Sequence, residues 1–422
     1  MIKTLKDAWG IPELRQKLIF TALVMLLYRV VNVIPVPFVD VDTLAHYFEN
    51  VLSSTILGLY DAMSGSAFSM ATILALGIQP YINSSIIVQL LTIAIPAMER
   101  WAKEEGEEGK KKINLCTRIA TVALGLLMGW AYYMMLVNSG ANIITEKGFL
   151  PGLVIVLTFA AGSCAVMWLG EQITEHGIGN GISMILFANI ISRIPSGIGT
   201  IISMKWWAIL AVLGMVVIVL MIVLVNDAER RIPVQYAKRV VGRKIYGGQS
   251  TNLPIKVAMT GVMPVIFAQS ICSLPATIAT FVGAAHEKNW WYVNVFSSTS
   301  WIYTIFYGLM IFFFSWFYAS IQYDPVEIAN NLKKNGGFIP GFRPGKPTAD
   351  FIKKVINKIV VFGAVYLCVV ALLPIVAGNL VKEFSYLAIG GTSVIIVVSV
   401  ALETVKALEA QMLMRHYKGF LD

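Results

Sequence analysis

Ten apolar runs, most of them about 20 residues long, divide this chain, and a run of that length fits a helix crossing about 30 Å of hydrocarbon. They fall at 18–36, 70–95, 116–137, 150–170, 178–198, 206–225, 257–282, 300–321, 355–377 and 386–406. Only 14% of the 422 residues are charged and 57% are hydrophobic, a balance outside the soluble class. The fold class expected is an all-α polytopic membrane protein of ten transmembrane helices. Residues 1–16 carry Lys3, Lys6, Asp7, Glu13 and Arg15 around Leu5, Trp9 and Ile11, with no small-residue cleavage site. They read as an interfacial helix leading into the first span.

The basic residues orient these spans. Two connectors, 226–256 and 322–358, are far longer than a turn between helices needs, and each carries seven Lys or Arg. An even number of spans places both termini on one side together with these connectors, and 27 of the 33 Lys and Arg fall there. The far side holds Lys147, Arg193, Lys205, Lys288 and Lys382, while Arg29 lies within the first run. Such asymmetry marks the first side as cytoplasmic. Trp206, Trp207, Trp290, Trp291 and Trp301 then fall at the outer interface, where aromatic belts are expected. A division at the short connector 195–205 gives five spans in 1–200 and five in 201–422. An odd number per half inserts the halves in opposite senses, the pattern of an inverted repeat with its site between them.

The interior offers little chemistry. Arg193 and Glu403 lie near span ends, and Arg29, deeper, is close enough to the outer end to snorkel as an anchor. Asn83, Gln89, Asn189 and Gln269 are amides of the kind that join helices by hydrogen bonds. His46, His176, His286 and His416 are scattered, and Cys116, Cys164, Cys272 and Cys368 stand singly in or beside apolar runs, read as buried packing residues. Neither a catalytic constellation nor a metal or cofactor site is expected. The stretch 341–348 superficially resembles a phosphate-binding loop, but its glycines are too close and Pro347 replaces the required Ser or Thr. It reads as a turn displaying Arg343 and Lys346. A secondary transporter would need a charged midplane site, and a membrane-embedded enzyme a polar cluster; the sequence supplies neither. The segment 53–69 is too short and too rich in Gly and Ser to span. A re-entrant piece and a surface helix both remain open for it.

Several stretches then carry a specific resemblance. YRVVNVIPVP at 28–37, ALGIQPYINSSIIVQLL at 75–91, LGEQITEHGIGNGIS at 169–183, RRIPVQYAKRVVGRKIYGGQSTNLP at 230–254, NLKKNGGFIPGFRPGKP at 331–347 and GGT at 390–392 follow the signature order of the SecY family of protein-translocation channels. Phe38 departs from the family, which places a glycine after the IPVP segment.

The resemblance implies a clamshell of two five-helix halves around an hourglass pore, and it makes 53–69 the plug, with Ser53, Ile56, Leu57, Leu59, Tyr60, Met63 and Phe68 as its contacts. It places an aliphatic pore ring at Ile82, Ile86, Leu186, Ile190, Ile266 and Ile396, with Leu186 where isoleucine is expected. Spacing adds that Ile82 with Ile86, and Leu186 with Ile190, are i, i+4 pairs sharing a helix face. For any one of these aliphatics taken alone, ordinary core packing is the better explanation. The second and third spans are expected to part from the seventh and eighth as a lateral gate, with Gln89 and Thr92 contributing a polar contact. Lys238, Arg239, Arg243, Arg343 and Lys346 are the expected docking residues for the ribosome and the SecA motor ATPase, with anionic lipid the competing explanation for any cytoplasmic Lys or Arg, preferred near membrane ends as at Lys256 and Lys358. Further implied partners are the small SecE and SecG subunits, signal peptides and translocating polypeptides, and the implied location is a bacterial plasma membrane. No enzymatic activity is implied.

Overall fold

The computed structural model describes residues 2–49, 56–139, 142–146, 148–203, 206–236, 239–241, 244–246, 250–281, 300–381 and 385–418. In order these form α1 (Ile2–Trp9), α2 (Pro12–Val31), α3 (Val41–Tyr47), α4 (Ile56–Ser64), α5 (Gln79–Ala94), α6 (Pro96–Lys103), α7 (Gly106–Asn138), α8 (Phe149–His176), α9 (Gly181–Ser192), α10 (Ile194–Ser203) and α11 (Trp206–Asp227). Strands β1 (Glu229–Tyr236), β2 (Arg239–Val241), β3 (Lys244–Tyr246) and β4 (Ser250–Lys256) follow. The chain continues through α12 (Met263–Phe281), α13 (Trp301–Gln322), α14 (Pro325–Lys334), β5 (Gly337–Phe338), α15 (Lys346–Leu380) and α16 (Ser385–Lys418).

Each of the ten apolar runs carries a helix. Among the described residues, α7, α8, α11, α15 and α13 with its continuation into α14 are long and apolar enough to cross a membrane, and the bent pair α5–α6 is a sixth candidate. That bend is 106°. Its cause is Pro96, which drives the preceding Ile95 out of the helical region to φ −107°, ψ 113°. Side-chain caps begin other helices: Asp40 accepts from the Thr43 amide, Asn180 from that of Ile182 and Asp324 from that of Val326. Where α7 crosses α8, Gly129 brings its backbone against Val156, and a Cβ there would stand 3.1 Å from the Val156 carbonyl oxygen. Small residues permit such close approach in membranes, where apolar burial supplies little drive between helices.

Several helices are shorter than their apolar runs, among them those of the second and fifth spans. Residues 70–78 form turns rather than the first part of a helix, since Ala71 and Gly77 take positive φ and the backbone pairs elsewhere. Val36 donates to the Ala71 carbonyl at 3.0 Å and Ile73 to that of Ile34 at 3.0 Å. Non-helical backbone of this kind survives at membrane depth when protein satisfies it. In the fifth span α9 stops at Ser192, and a separate α10 begins before Pro195. Phe38 has φ 69°, the left-handed region that explains why glycine is expected there. The cost, about 1–2 kcal/mol for a residue with a side chain, is borne between two anchors: Asp40 donates to the Ile143 carbonyl and Thr145 to that of Phe38.

One apolar core joins α2, α4, α5, α7, α8, α9, α12, α13, α15 and α16. A second lies under the two basic connectors, where β1 pairs antiparallel with β4 and with β5 in the order β4-β1-β5. Ile232 and Val234 of β1 are buried with Leu332 of α14, Ile339, and Ile352 and Ile356 of α15. The connectors, read separately in the sequence, are therefore one folded unit, bonded across Gln235 and Phe338. Ile352 is fully buried there. Its truncation, Ile352→Ala, is expected to cost about 2–5 kcal/mol, seen as faster proteolysis within 226–256 as well as within 322–358. A small third core seats α1 on α16 through Ala8 and Leu408.

Candidate functional site

All six residues expected in the ring are buried: Ile82 and Ile86 on α5, Leu186 and Ile190 on α9, Ile266 on α12 and Ile396 on α16. They belong to the same apolar core as Leu57, Tyr60, Met63 and Phe68 of the expected plug. The helix α4 contacts α9, α12 and α16, so it lies among three of the four helices that carry the ring. Ser53 lies outside the described residues, as do the side chains of Ile56 and Leu59.

Apolar contact is not the whole of this seat. Tyr60 Oη and Ser273 Oγ of α12 are 2.9 Å apart. Asn189 on α9 donates through Nδ2 to the Met63 carbonyl at 2.8 Å and to Tyr28 Oη at 2.9 Å. Asn32 Nδ2 donates to the Ser64 carbonyl at 3.2 Å, satisfying an orphan acceptor at the end of α4. An ion pair joins Arg193 Nη1 to Asp61 Oδ2 at 3.1 Å. Phe68 stacks edge-on against Tyr132 of α7, with ring centroids 4.6 Å apart. None of the partners outside 53–69 was tied to the plug from the sequence, because their positions, 28, 32, 132, 189, 193 and 273, share no spacing.

Arg29 departs from the expectation of a snorkelling anchor. Its Nη1 is buried beside Gly65, close enough that a Cβ on that glycine would stand 2.6 Å away. Gly65 also has φ +68°, which a side chain disfavours. Gly65→Ala is therefore expected to unseat the turn after α4 and cost at least about 1 kcal/mol, read as faster cleavage at 56–69 by protease added to sealed vesicles. Arg29 Nη1, Asn32 Oδ1 and Asn189 Oδ1 are buried without a hydrogen-bond partner among the described residues. Each such atom costs about 1–3 kcal/mol, so the seat is closed without being tight.

Along the expected gate, α12 packs against both α5 and α7, and the seam is shut. Gln89 is half-buried, and Thr92 donates to the Gln89 carbonyl at 2.6 Å within α5. The thiols also differ from expectation: only Cys272 is buried, while Cys116, Cys164 and Cys368 are partly exposed. Among the described residues no His, Cys, Asp and Glu group has the arrangement of a metal site.

On the basic unit, Arg343 and Lys346 are exposed on a shaped turn. Gly341 and Gly345 take φ +89° and +108°, and the buried Thr348 donates through Oγ1 to the Arg343 carbonyl at 2.7 Å. Phe342 lies on Phe351 with centroids 4.2 Å apart. The backbone of Arg343 is thus held while its guanidinium projects to solvent. Lys238 and Arg243 lie outside the described residues, and so does the side chain of Arg239. The alternation Arg231, Ile232, Pro233, Val234, Gln235 was a readable strand signal for β1.

Known proteins share this chain's sequence pattern and its overall fold. The family described as SecY matches residues 72–405. The chain is 41% identical to protein translocase subunit SecY of Corynebacterium glutamicum, covering 100% of this chain and 99% of that protein. It is 39% identical to protein translocase subunit SecY of Thermotoga maritima, covering 100% and 98%. Its fold is similar to that of a solved protein-conducting channel, with a TM-score of 0.68 at 18% identity over 94% of this chain and 92% of that one. Canine Sec61 in a ribosome–channel complex from the endoplasmic reticulum gives a TM-score of 0.62 at 17% identity, with the same coverage. A chain matched along its whole length by these translocase subunits, and folded as the channels are, belongs to the SecY family.

Proposed function

We propose that this chain is the pore-forming subunit of a passive protein-conducting channel, with α4 as the plug and Ile82, Ile86, Leu186, Ile190, Ile266 and Ile396 as the constriction. The observation that carries the reading is the burial of α4 in one apolar core with all six of these residues. Aliphatic side chains close around an extended polypeptide of any sequence and bar ions by dewetting, without a binding site that would hold the passenger. Translocation then needs no chemistry in the membrane. Its driving force comes from a separate motor or the ribosome, docked on the unit that carries Arg343 and Lys346 together with Lys238, Arg239 and Arg243. The ribosome-bound state of the canine relative supports the ribosome as a partner.

Residues 1–200 and 201–422 form the two halves, and the seam of α5 and α7 on α12 is the lateral gate. Through it a passenger segment leaves for lipid when its transfer is favourable, at roughly −0.3 to −0.6 kcal/mol per Leu, Ile, Phe or Val near the helix centre. Gln89 and Thr92 line this exit. The basic excess described above supports cytoplasmic placement of both termini and both basic connectors, and the bacterial source of the relatives supports a bacterial plasma membrane as the location. SecE, SecG and SecA complete the machine, and signal peptides and unfolded secretory chains are its passengers.

Reconstitution with the small subunits and the motor ATPase tests the reading. A secretory precursor is expected to become protected from protease inside sealed vesicles when ATP is supplied. No protection, under conditions where a known channel of this family imports the same precursor, overturns it.

A further inference from the structure

An aliphatic ring grips nothing strongly, so a nine-residue plug helix needs something else to keep it seated. We propose that Asp61 and Arg193 form an ion-pair latch that biases α4 toward the closed pore. This rests on the reading of α4 as the plug.

Asp61 stands in the last turn of α4, where the negative end of the helix dipole disfavours a carboxylate. Its side chain is only 4% exposed. A charge in such a place is tolerated when it is both paired and hydrogen-bonded, and Asp61 is both. Oδ2 faces Arg193 Nη1 at 3.1 Å, and Oδ1 accepts the Ser69 backbone N–H at 2.8 Å. The Asp61 carbonyl also accepts from the Ser66 amide at 3.0 Å and from Ser64 Oγ at 3.1 Å, which fastens the turn that leaves the helix. The pair therefore ties α4 and its exit turn to the break between α9 and α10, where Arg193 is the connecting residue.

The two partners are unequal, and this gives the latch a direction. Arg193 is 37% exposed and stays hydrated whether or not α4 is present. Asp61 is desolvated only when the plug is home. The pair thus acts in the closed state alone, where Arg193 and the Ser69 amide offset the desolvation of Asp61, and loss of Arg193 leaves a buried carboxylate that only an outgoing plug can return to water. Arg193 and Asp61 act as positioning residues for the ring's closure.

A double-mutant cycle on the complete channel complex in planar bilayers tests this, read as resting ion conductance per assembled channel so that loss of folded protein does not alter the ratio. Asp61→Asn keeps an oxygen for the Ser69 amide and removes the charge, and Arg193→Gln removes the partner. Each is expected to raise resting conductance about tenfold, the exposure of Arg193 holding the effect below that of a fully buried pair. The double variant is expected to exceed neither single, because neither member of the pair is left without the other. Arg193→Lys is expected to restore closure to within about twofold of the unaltered chain. Silent single variants, or a double variant that multiplies the two effects to about a hundredfold, overturn the latch. Deletion of residues 56–64 separates the two readings. No rise in conductance overturns the plug itself, whereas a rise with Asp61→Asn silent overturns the latch alone.

Discussion

Asparagine in place of Ile82 or Ile396 is expected to make the resting channel leak ions and admit precursors with defective signal sequences. Both side chains are almost wholly buried in the core shared with α4. A buried amide without a partner costs about 1–3 kcal/mol, and admitting water to the constriction recovers that cost. At 1.4 kcal/mol per factor of ten, the balance between a dry, closed ring and a wet one shifts by about 5-fold to 140-fold. Conductance in planar bilayers and export of a precursor with a weakened signal report the two consequences together. Unchanged leak and unchanged selectivity in both variants would remove Ile82 and Ile396 from the constriction. Leucine or valine at the same positions keeps the ring apolar and is expected to keep it sealed, which separates hydration from simple loss of shape.

Arg343→Glu is expected to abolish motor-dependent export while leaving the protein folded. Arg343 is exposed on a turn whose backbone is fixed by Thr348, so its loss removes no core contact. Exposed substitutions of this kind stay within about 0.5 kcal/mol in stability. A planar guanidinium makes charge-assisted hydrogen bonds worth about 1.5–3 kcal/mol each, and a carboxylate in its place repels an acidic partner as well. Motor binding to vesicles is therefore expected to weaken at least about tenfold, with the deficit growing as salt is lowered, because repulsion between exposed charges is then less screened. Binding and export equal to those of the unaltered chain would move the decisive contact to another residue of the unit.

Much of this architecture was legible because membranes impose simple rules on a sequence. Each of the ten apolar runs holds a helix, and the aliphatic positions at 82, 86, 186, 190, 266 and 396 are all buried. Helix ends were harder to read. Residues 70–78 are apolar enough for a span, yet their hydrogen bonds go to 34–36 across a turn, a choice made by tertiary pairing rather than composition. The polar seat of α4 was not legible at all. Asp61 lies within a short Gly- and Ser-rich segment, and Arg193 counts in sequence as one more outer-side charge. Only folding brings them within 3.1 Å. The basic connectors were legible as surfaces and not as a domain, since the pairing of β1 with β5 spans about a hundred residues of chain, far beyond local pattern.

That pairing turns the basic unit into a lever. Its strands and helices are continuous with the ends of α11, α12, α13 and α15, and its own apolar core prevents the two connectors from yielding independently. On the proposed function, a partner docked at Arg343 would load α11, α12, α13 and α15 together, and α12 carries Ile266 and packs against α5 and α7. Under that proposal docking and opening would be a single mechanical act, in which the push on the passenger and the parting of its walls have the same origin.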